Sequence, residues 1–504
     1  MATVQETQVI ETYPLVAPFA YAKIEKSPST GGILYTLVET PLTSKEKRIF
    51  AMIVDVINET LEFDFTRTKT RLDATNYLRG KILDLIRAYQ ISVDETSFEK
   101  LFYYIQKDFL GFGNIDPLMF DPEIEDISCD GTDIPVFVWH RKYESITTNL
   151  IFKSDEELNS LVIKVAQRAG RHISVADPLL DASLEDGSRI NCTYGREVTM
   201  RGPTFTIRKF RADPLTIVDL LSFNTIDEKV GAYFWFALEH GRSILIAGGT
   251  ASGKTTLLNG IAMFIRPGNK IVSIEDTPEL NLPYDNWIQS VSRAGFGESK
   301  GGHKRGEVSM YDLLRAAVRQ RPDFLFVGEV RGEECYVLMQ AISTGHAGLG
   351  TIHGDSALGV IRRMESKPMD TPRALIANLS MIATQRRVRL GTKQVRRTVE
   401  IMEVVGMDAA TNDLVTNRKF SWDPRDDVFI DYGRSYILEH IADLMGYTEA
   451  YVKEELDRRG TILRALVKTK RRTFKDVAEA VQAYYADRDA AYDHYKKMLE
   501  NVKI

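Results

Sequence analysis

The fold of this chain is decided by residues 243–262, which read SILIAGGTASGKTTLLNGIA. The apolar run at 243–247 predicts a short buried strand, and the residues from Thr256 onward predict a helix. Between them, Gly248 to Thr255 form a glycine-rich loop that ends in Lys-Thr. Glycines at both ends of such a loop permit a tight path in which backbone N–H groups point inward at a phosphate. The stretch therefore predicts a strand, a phosphate loop and a helix within an α/β sheet.

The phosphate loop predicts binding of ATP together with Mg²⁺. We expect Lys254 to reach the β- and γ-phosphates and the Thr255 hydroxyl to ligate the metal. The positive end of the following helix adds to the attraction for phosphate. The predicted nucleotide-binding residues of the loop are Gly248, Gly249, Thr250, Ala251, Ser252, Gly253, Lys254, Thr255 and Thr256.

A second motif supplies an acid for the metal. Residues 321–331 read RPDFLFVGEVR, a buried strand with a carboxylate near each end. Asp323 enters the strand, and Glu329 leaves it on the side where nucleotides bind in parallel sheets. We expect Glu329 to hold Mg²⁺, directly or through water, so that Thr255 and Glu329 are the predicted metal residues. The alternative is a surface carboxylate at a strand end.

Two further motifs follow predicted strands. Residues 275–279 read EDTPE after the strand 270–274, and a carboxylate there can orient the attacking water as a general base. A turn or a helix N-cap is the alternative for this cluster. His346 and His353 bracket the strand 348–352, seven residues apart, which is not a metal-ligand spacing. The alternative is a structural role, which is usual for a lone His at a strand end. We count both among the nucleotide-binding candidates, with a γ-phosphate-sensing role open for His353.

The rest of the chain predicts additional domains, since 504 residues exceed one hydrophobic core. The first forty residues lack periodicity and predict an irregular arm, whereas residues 44–112 predict helices. An insert at 295–306 contains five glycines and four basic residues, and we interpret it as a mobile surface loop. Predicted strands lie at 134–139, 149–152, 189–192 and 204–209, with a helix at 156–169.

Composition and charge limit the kinds of partner and the compartment that we expect. The formal net charge is −5 and no basic stripe with interleaved aromatics is evident, so we expect no nucleic-acid partner. No apolar run reaches the length of a membrane-spanning helix, and the N-terminus does not read as a secretory signal. Three scattered cysteines fit a reducing compartment and exclude a four-cysteine zinc module. We therefore expect a cytoplasmic protein that meets the inner face of the cell membrane through partners.

Taken in order, the four motifs resemble those of the type II/IV secretion ATPase superfamily. The family's Walker A box is similar to Gly248–Thr255, its Asp box to Glu275–Glu279, its Walker B box to Asp323–Arg331 and its His box to Gly345–His353. Upstream, residues 121–128 (DPEIEDIS) and 184–190 (LEDGSRI) resemble the family's N-terminal sensor-type domain. Residues 201–210 (RGPTFTIRKF) fit the archaeal branch, which drives archaellum or pilus assembly. One departure is Gly332, where many members carry an acid.

The resemblance implies an α/β fold with a RecA-like motor domain and a parallel sheet at 215–433. It implies a smaller α+β sensor-type domain at 113–210, a linker at 211–214, an N-terminal arm and helical region at 1–112, and a C-terminal helical region at 434–504. It also implies a homo-hexameric ring that works on a polytopic membrane platform protein and, indirectly, on pilin- or archaellin-like machinery.

The same resemblance implies residue roles. Glu279 is the expected catalytic base, Glu329 serves metal and water, and Lys254 binds phosphate. Arginines of the sensor-type domain are expected to neutralise γ-phosphate charge, with Arg189 and Arg208 as the first candidates and Arg201 and the motor's Arg293 as others. Two other functions remain open: a P-loop nucleic-acid translocase, and a nucleotide-gated scaffold without turnover.

Overall fold

A computed structural model describes residues 8–27, 31–60, 71–210, 214–293, 296–300, 303–391 and 393–502. The chain divides into two compact units, residues 1–210 and 211–504. Of the predicted linker 211–214, only Pro214 lies within the described residues.

The first unit is built on one nine-stranded sheet with the order β1-β2-β3-β6-β5-β4-β9-β8-β7. Buried residues of α5 and of the strands form its main core, and α1, α2 and α3 share a smaller core around Leu78, Ile82 and Phe98. Its elements are β1 (Gln8–Val16), β2 (Ala20–Lys26), β3 (Ile33–Glu39), α1 (Ser44–Thr60), α2 (Arg71–Ala88), α3 (Glu95–Phe109), α4 (Asp116–Phe120), β4 (Ile124–Cys129), β5 (Pro135–His140), β6 (Glu144–Ile151), α5 (Asp155–Arg168), β7 (Leu179–Ser183), β8 (Arg189–Thr193) and β9 (Thr204–Arg208).

The prediction of an irregular N-terminal arm was wrong for the described part of residues 8–39. These residues form β1, β2 and β3, and β3 pairs in parallel with β6, so that they extend the sheet of the first unit. Ala20, Ala22 and Ile24 alternate with more exposed residues along β2 and are fully buried. Small alanines in this period-2 pattern bury one face of a strand without the large apolar residues that mark most strands.

The second unit carries a nine-stranded sheet with the order β12-β11-β15-β16-β10-β17-β18-β19-β20. Separate apolar cores cover its two faces. Its elements are α6 (Ile217–Ser222), α7 (Glu228–Glu239), β10 (Ile244–Gly248), α8 (Lys254–Ala262), β11 (Ile271–Glu275), β12 (Trp287–Val291), β13 (Phe296–Lys300), β14 (His303–Arg305), α9 (Met310–Val318), β15 (Phe324–Val330), α10 (Glu334–Ser343), β16 (Ala347–His353), α11 (Ala357–Glu365), α12 (Arg373–Ile376), β17 (Met381–Leu390), β18 (Lys393–Met407), β19 (Leu414–Asp423), β20 (Val428–Asp431), α13 (Tyr436–Met445), α14 (Glu449–Lys468), α15 (Phe474–Ala486) and α16 (Arg488–Asn501).

The sheet has the predicted parallel strands, and an antiparallel edge adds to them. Six neighbouring strands, β12, β11, β15, β16, β10 and β17, are parallel, and most of the crossovers that join them contain a helix. β18, β19 and β20 are antiparallel, because tight hairpins rather than helices connect them. Such an antiparallel edge on a parallel sheet is common in large α/β domains.

The predicted mobile loop at 295–306 contains two short strands in its described part. β13 and β14 pair antiparallel, with Lys300 opposite His303. In the sequence, Gly301 and Gly302 separate the two strands, a two-residue pattern that favours a hairpin. The glycines favoured a mobile loop, and this hairpin was not predicted.

The C-terminal helices pack on the sheet unit. α14 lies against α7, and its Arg459 is fully buried beside Glu239 and Glu455. In the described part of the chain, no helix combines the length and apolar character needed to cross a membrane.

Candidate active site

The phosphate loop joins the end of β10 to the start of α8. Gly253 is the N-cap residue of α8 with φ +91°, and Ala251 also has a positive φ, +57°. Glycine adopts a positive φ readily, whereas alanine does so only where its surroundings hold it. The loop is therefore a tightly constrained backbone turn that opens directly into a helix N-terminus.

Gly248 sits where the loop leaves no room for a side chain. A Cβ atom added at this position would lie 2.4 Å from the Ser252 Oγ and 2.6 Å from the Gln385 carbonyl oxygen. The Ser252 hydroxyl in turn donates a hydrogen bond to the Gly249 carbonyl oxygen at 2.9 Å. Glycine at position 248 is thus a steric requirement of the turn, as the sequence motif predicts.

Lys254 folds back over the loop. Its Nζ donates a hydrogen bond to the Gly249 carbonyl oxygen at 2.9 Å. Burial lowers the pKa of Lys254 below its ordinary value, while the charges of Glu329 and Glu279 act to raise it. The ammonium group is therefore within electrostatic reach of both predicted acids.

Four parallel strands bring their carboxyl ends to this edge of the sheet. Gly248 at the end of β10 is the register partner of His353 at the end of β16. β15 pairs in parallel with β16, and β11 pairs in parallel with β15. Glu329, near the end of β15, and Glu275, at the end of β11, therefore lie at the same edge. The phosphate loop, Glu329, the start of the Asp box and His353 therefore lie along one edge of the sheet.

Glu329 forms an ion pair with Arg331. Burial works to raise the pKa of Glu329, but a hydrogen bond from Arg331 and the charges of Arg331, Lys254 and His353 lower it below its ordinary value. The Arg331 Nη2 lies 2.5 Å from the Glu329 Oε2. The Arg331 Nη1 also lies 3.8 Å from the Asp276 Oδ2 of the Asp box. Glu329 is thereby held as a carboxylate, the form that ligates a metal.

Glu275 and Glu279 have different surroundings. Glu275 is 1% exposed, and its Oε1 accepts hydrogen bonds from the backbone N–H groups of Glu279 and Leu280 at 2.8 and 2.9 Å. Its Oε2 accepts a hydrogen bond from Gln289 at 2.9 Å. Burial raises the pKa of the Glu275 carboxyl against these hydrogen bonds. Glu275 therefore shapes the turn that carries Glu279, whose charge is felt by Lys254.

The two histidines lie at opposite ends of β16. His353 is beside the phosphate loop, and its charge contributes to the lowered pKa of Glu329. His346 precedes the strand, and its Nδ1 lies 3.2 Å from the Ala341 carbonyl oxygen. Seven residues of extended strand span about 23 Å. The structure therefore does not bring His346 to the phosphate loop of its own chain.

The candidate arginines of the first unit form a pair on neighbouring strands. Arg189 on β8 is the register partner of Arg208 on β9, so the two side chains share one face of the sheet. The Arg189 Nη2 lies 3.1 Å from Asp181, and the Arg208 Nε lies 3.3 Å from Asp126. All four residues line a shallow cavity of about 600 Å³ on this face.

The other two candidates lie elsewhere. Arg201 belongs to the turn before β9, where its carbonyl oxygen accepts a hydrogen bond from the Thr132 N–H at 2.9 Å. Arg293, after β12, donates from its Nε to the Gly306 carbonyl oxygen at 2.9 Å. Neither joins the Arg189–Arg208 pair.

The residues at the phosphate loop fit a Mg²⁺–nucleotide complex. A Cβ at Gly248 would meet the Ser252 Oγ and the Gln385 carbonyl oxygen, so glycine preserves the tight loop, and Thr255 and Glu329 are the oxygen donors that would ligate the ion. Among the described residues, no group of three or more His, Cys, Asp or Glu is placed to hold a metal by protein atoms alone. Mg²⁺ needs few protein ligands when substrate phosphates complete its shell, so the donor set suits that ion.

Sequence reasoning missed Arg331 as a member of this site. It follows Glu329 by two residues along β15 and its end, and residues two apart on a strand share a face. That spacing, together with the opposite charges, is the signal that identifies the pair.

A buried strand, a glycine-constrained loop opening into a helix, and acids on neighbouring parallel strands define a P-loop α/β domain of the RecA type. A family model described as "Type II/IV secretion system protein" matches residues 112–484. The chain belongs to this family.

Relatives cover the chain to different extents. An uncharacterized protein of Methanocaldococcus jannaschii is 34% identical over 513 residues, which span 97% of this chain and 90% of the relative. The type IV secretion system protein PtlH of Bordetella pertussis is 31% identical over 287 residues, 50% of this chain and 83% of PtlH. Among solved structures, the Legionella pneumophila ATPase DotB aligns at a TM-score of 0.39 and 18% identity, covering 72% of this chain and 92% of DotB.

Proposed function

We propose that this chain is a Mg²⁺-dependent ATP hydrolase. The observation that carries the proposal is the gathering of Lys254, Glu279 and Glu329 at one sheet edge, where the charges of both acids act on the lysine. A protein that only binds nucleotide has no need of two acids there. Lys254 and the loop bind the phosphates, and Glu279 orients the attacking water and accepts its proton.

Thr255 and Glu329 would hold Mg²⁺, which neutralises charge that develops on the phosphates during transfer. Arg331 keeps Glu329 ionised and fixes its orientation, and it also approaches Asp276. Glu275 positions Glu279 by holding the backbone of the turn. Each acid of the site thus has a separate task.

We further propose that the enzyme works as a homo-hexameric motor. In this account ATP turnover drives rigid-body movement between the two units, which powers secretion or the assembly of a filament such as an archaellum or type IV pilus. Arg189 and Arg208 neutralise the γ-phosphate when the site closes. Family membership supports this account, as does the pairing of these two arginines on one sheet face. The motor acts at the inner face of the membrane through a polytopic partner.

ATP hydrolysis and nucleotide binding, measured with and without Mg²⁺, test the enzyme proposal. We expect Glu329→Gln to lower turnover by a factor of about 10² or more, while nucleotide binding persists. Glu439→Gln, which removes an exposed acid of α13, is the matched control and should leave turnover unchanged. Binding without turnover in the native chain would favour a nucleotide-gated scaffold, and turnover that rises on addition of DNA would favour a translocase.

A further inference from the structure

A cationic hairpin runs beside the phosphate loop. Gly248, the last residue of β10, is the register partner of Gln385 on the parallel strand β17. β17 continues for five more residues to Leu390, and β18 returns antiparallel from Lys393. The hairpin therefore extends past the end of β10 at the level where the chain turns into the phosphate loop.

Arg396 of this hairpin touches the loop at two points. Its Nε donates a hydrogen bond to the Ala251 carbonyl oxygen at 3.1 Å. Its Cδ lies 3.1 Å from the position that a Cβ at Gly253 would take. The arginine stem thus lies across the last glycine of the loop, and the guanidinium group holds the carbonyl of the strained alanine.

A second arginine stands opposite the first. Arg387 on β17 is the register partner of Arg396 on β18, so both side chains lie on the same face of the hairpin. Two other arginines of the hairpin have partners: Arg386 donates to the Asp355 carbonyl oxygen at 2.7 Å, and Arg397 pairs with Asp427 at 2.7 Å. Within the described residues, no carboxylate lies within ion-pair distance of Arg387 or Arg396.

This arrangement places two exposed like charges opposite each other. Like charges directly opposite each other on antiparallel strands destabilise the pairing. An anion held by the neighbouring loop would relieve the repulsion. Arg396 occupies the Ala251 carbonyl oxygen, and a loop of this kind can then present its N–H groups to an anion, as anion-binding nests do.

We propose that Arg396, with Arg387 beside it, is a positioning residue of the nucleotide site. Arg396 holds Ala251 at its positive φ and so keeps the phosphate loop in its binding conformation. The paired charges favour the polyphosphate of the nucleotide over an uncharged ligand. This proposal rests on the proposed ATP site. It adds the positive charges of Arg387 and Arg396 to that site, and these arginines are distinct from Arg189 and Arg208 of the first unit.

Thermal unfolding with and without Mg²⁺–ATP, together with ATP affinity, tests the proposal on the full chain. We expect Arg396→Gln and Arg387→Gln each to weaken ATP binding by about tenfold, with a smaller dependence of affinity on salt than in the native chain. Arg387→Gln should leave the nucleotide-free unfolding temperature unchanged or raise it, because it removes a repulsion. Arg396→Lys should retain most of the affinity, since it keeps the charge and a donor.

Lys393→Gln is the matched control. Lys393 is an exposed cation of the same hairpin, three residues from Arg396 and hence on the opposite face. The Lys393→Gln variant should bind ATP with the affinity of the native chain. Equal loss of affinity in the control, or lowered nucleotide-free stability with unchanged ATP affinity in both arginine variants, would overturn the positioning role. A native chain whose unfolding temperature ATP does not shift would overturn the ATP site itself, which is a separate result.

Discussion

The buried carboxylate of Glu275 accepts a hydrogen bond from the backbone N–H of Glu279 at 2.8 Å. The first acid of the Asp box therefore holds the last one in place. The two glutamates belong to one short stretch of sequence but have different roles. The Glu275 carboxylate is occupied by backbone hydrogen bonds, whereas the charge of Glu279 acts to raise the pKa of Lys254.

Glu275→Ala should lower ATP turnover by about tenfold to a hundredfold, because a buried charged hydrogen bond to backbone contributes about 1.5–3 kcal/mol. Nucleotide affinity should change little, since the phosphate loop is not altered. Steady-state kinetics and nucleotide binding measure the two effects separately. Glu279→Gln, which removes the proposed base and keeps the turn, should cost more turnover than Glu275→Ala. The reverse order would contradict the assignment of Glu279 as the base.

Gly248→Ala should destabilise the chain by about 1–3 kcal/mol, because the added Cβ meets Ser252 and Gln385 at distances that force a shift. Gly249→Ala is the matched control, since a Cβ there meets nothing within 4 Å. Unfolding in denaturant without nucleotide compares the two. Equal stability of the two variants would contradict the steric account of the loop.

Arg459→Met should lower the free energy of unfolding by about 3 kcal/mol, because it leaves Glu239 and Glu455 in a buried setting with one cation fewer. Its guanidinium carbon also lies 4.8 Å from the centre of the Tyr484 ring, a contact that is lost. Arg464→Met, on the same helix, removes an exposed pair with Glu228 and should cost less than about 1 kcal/mol. If chemical denaturation gave similar losses for both, the C-terminal helices would not depend on the buried ion cluster.

The ion pair between Glu46 and Lys100 predicts a pH dependence in the first unit. Burial acts to raise the pKa of Glu46, but the Thr43 N–H and the Lys100 ammonium at 3.0 Å together lower it to about 2 from an ordinary value of 4.5. A carboxyl with a lowered folded-state pKa stabilises fully above its unfolded pKa, and this stabilisation is lost as pH falls from about 4.5 toward 2.

Glu46→Gln cannot titrate, so the stability difference between it and the native chain should shrink as pH is lowered across that window. Denaturant unfolding at several pH values measures the difference. A difference that stays constant down to pH 2 would show that Glu46 is not held as a carboxylate by Lys100.

The second unit, residues 211–504, could largely be predicted from the sequence because its signals are local. The strands at 243–247, 270–274 and 348–352 were each predicted within one residue of the observed ends, since short apolar runs bounded by turns mark buried parallel strands. The positions of Gly248, Glu329 and His353 at one edge follow from the parallel pairing of those strands. The fold class is confirmed.

Other features depend on contacts between distant residues and were missed. The pairing of β3 with β6 joins residues more than a hundred positions apart, and no local pattern reports it. Arg396 reaches the loop across 145 residues of sequence, so its contact with Ala251 cannot be inferred from the motif. His346 was counted among the nucleotide-binding candidates, but strand geometry puts it at the other end of β16.

ATP hydrolysis per subunit, measured in Mg²⁺ against protein concentration, distinguishes a ring motor with shared sites from a chain that acts alone. The native chain should show a rate that rises steeply with concentration, because a ring motor shares its sites between subunits, and both Lys254→Ala and Glu329→Gln should abolish it. A rate that is absent, or that is independent of concentration and survives Glu329→Gln, would contradict the account.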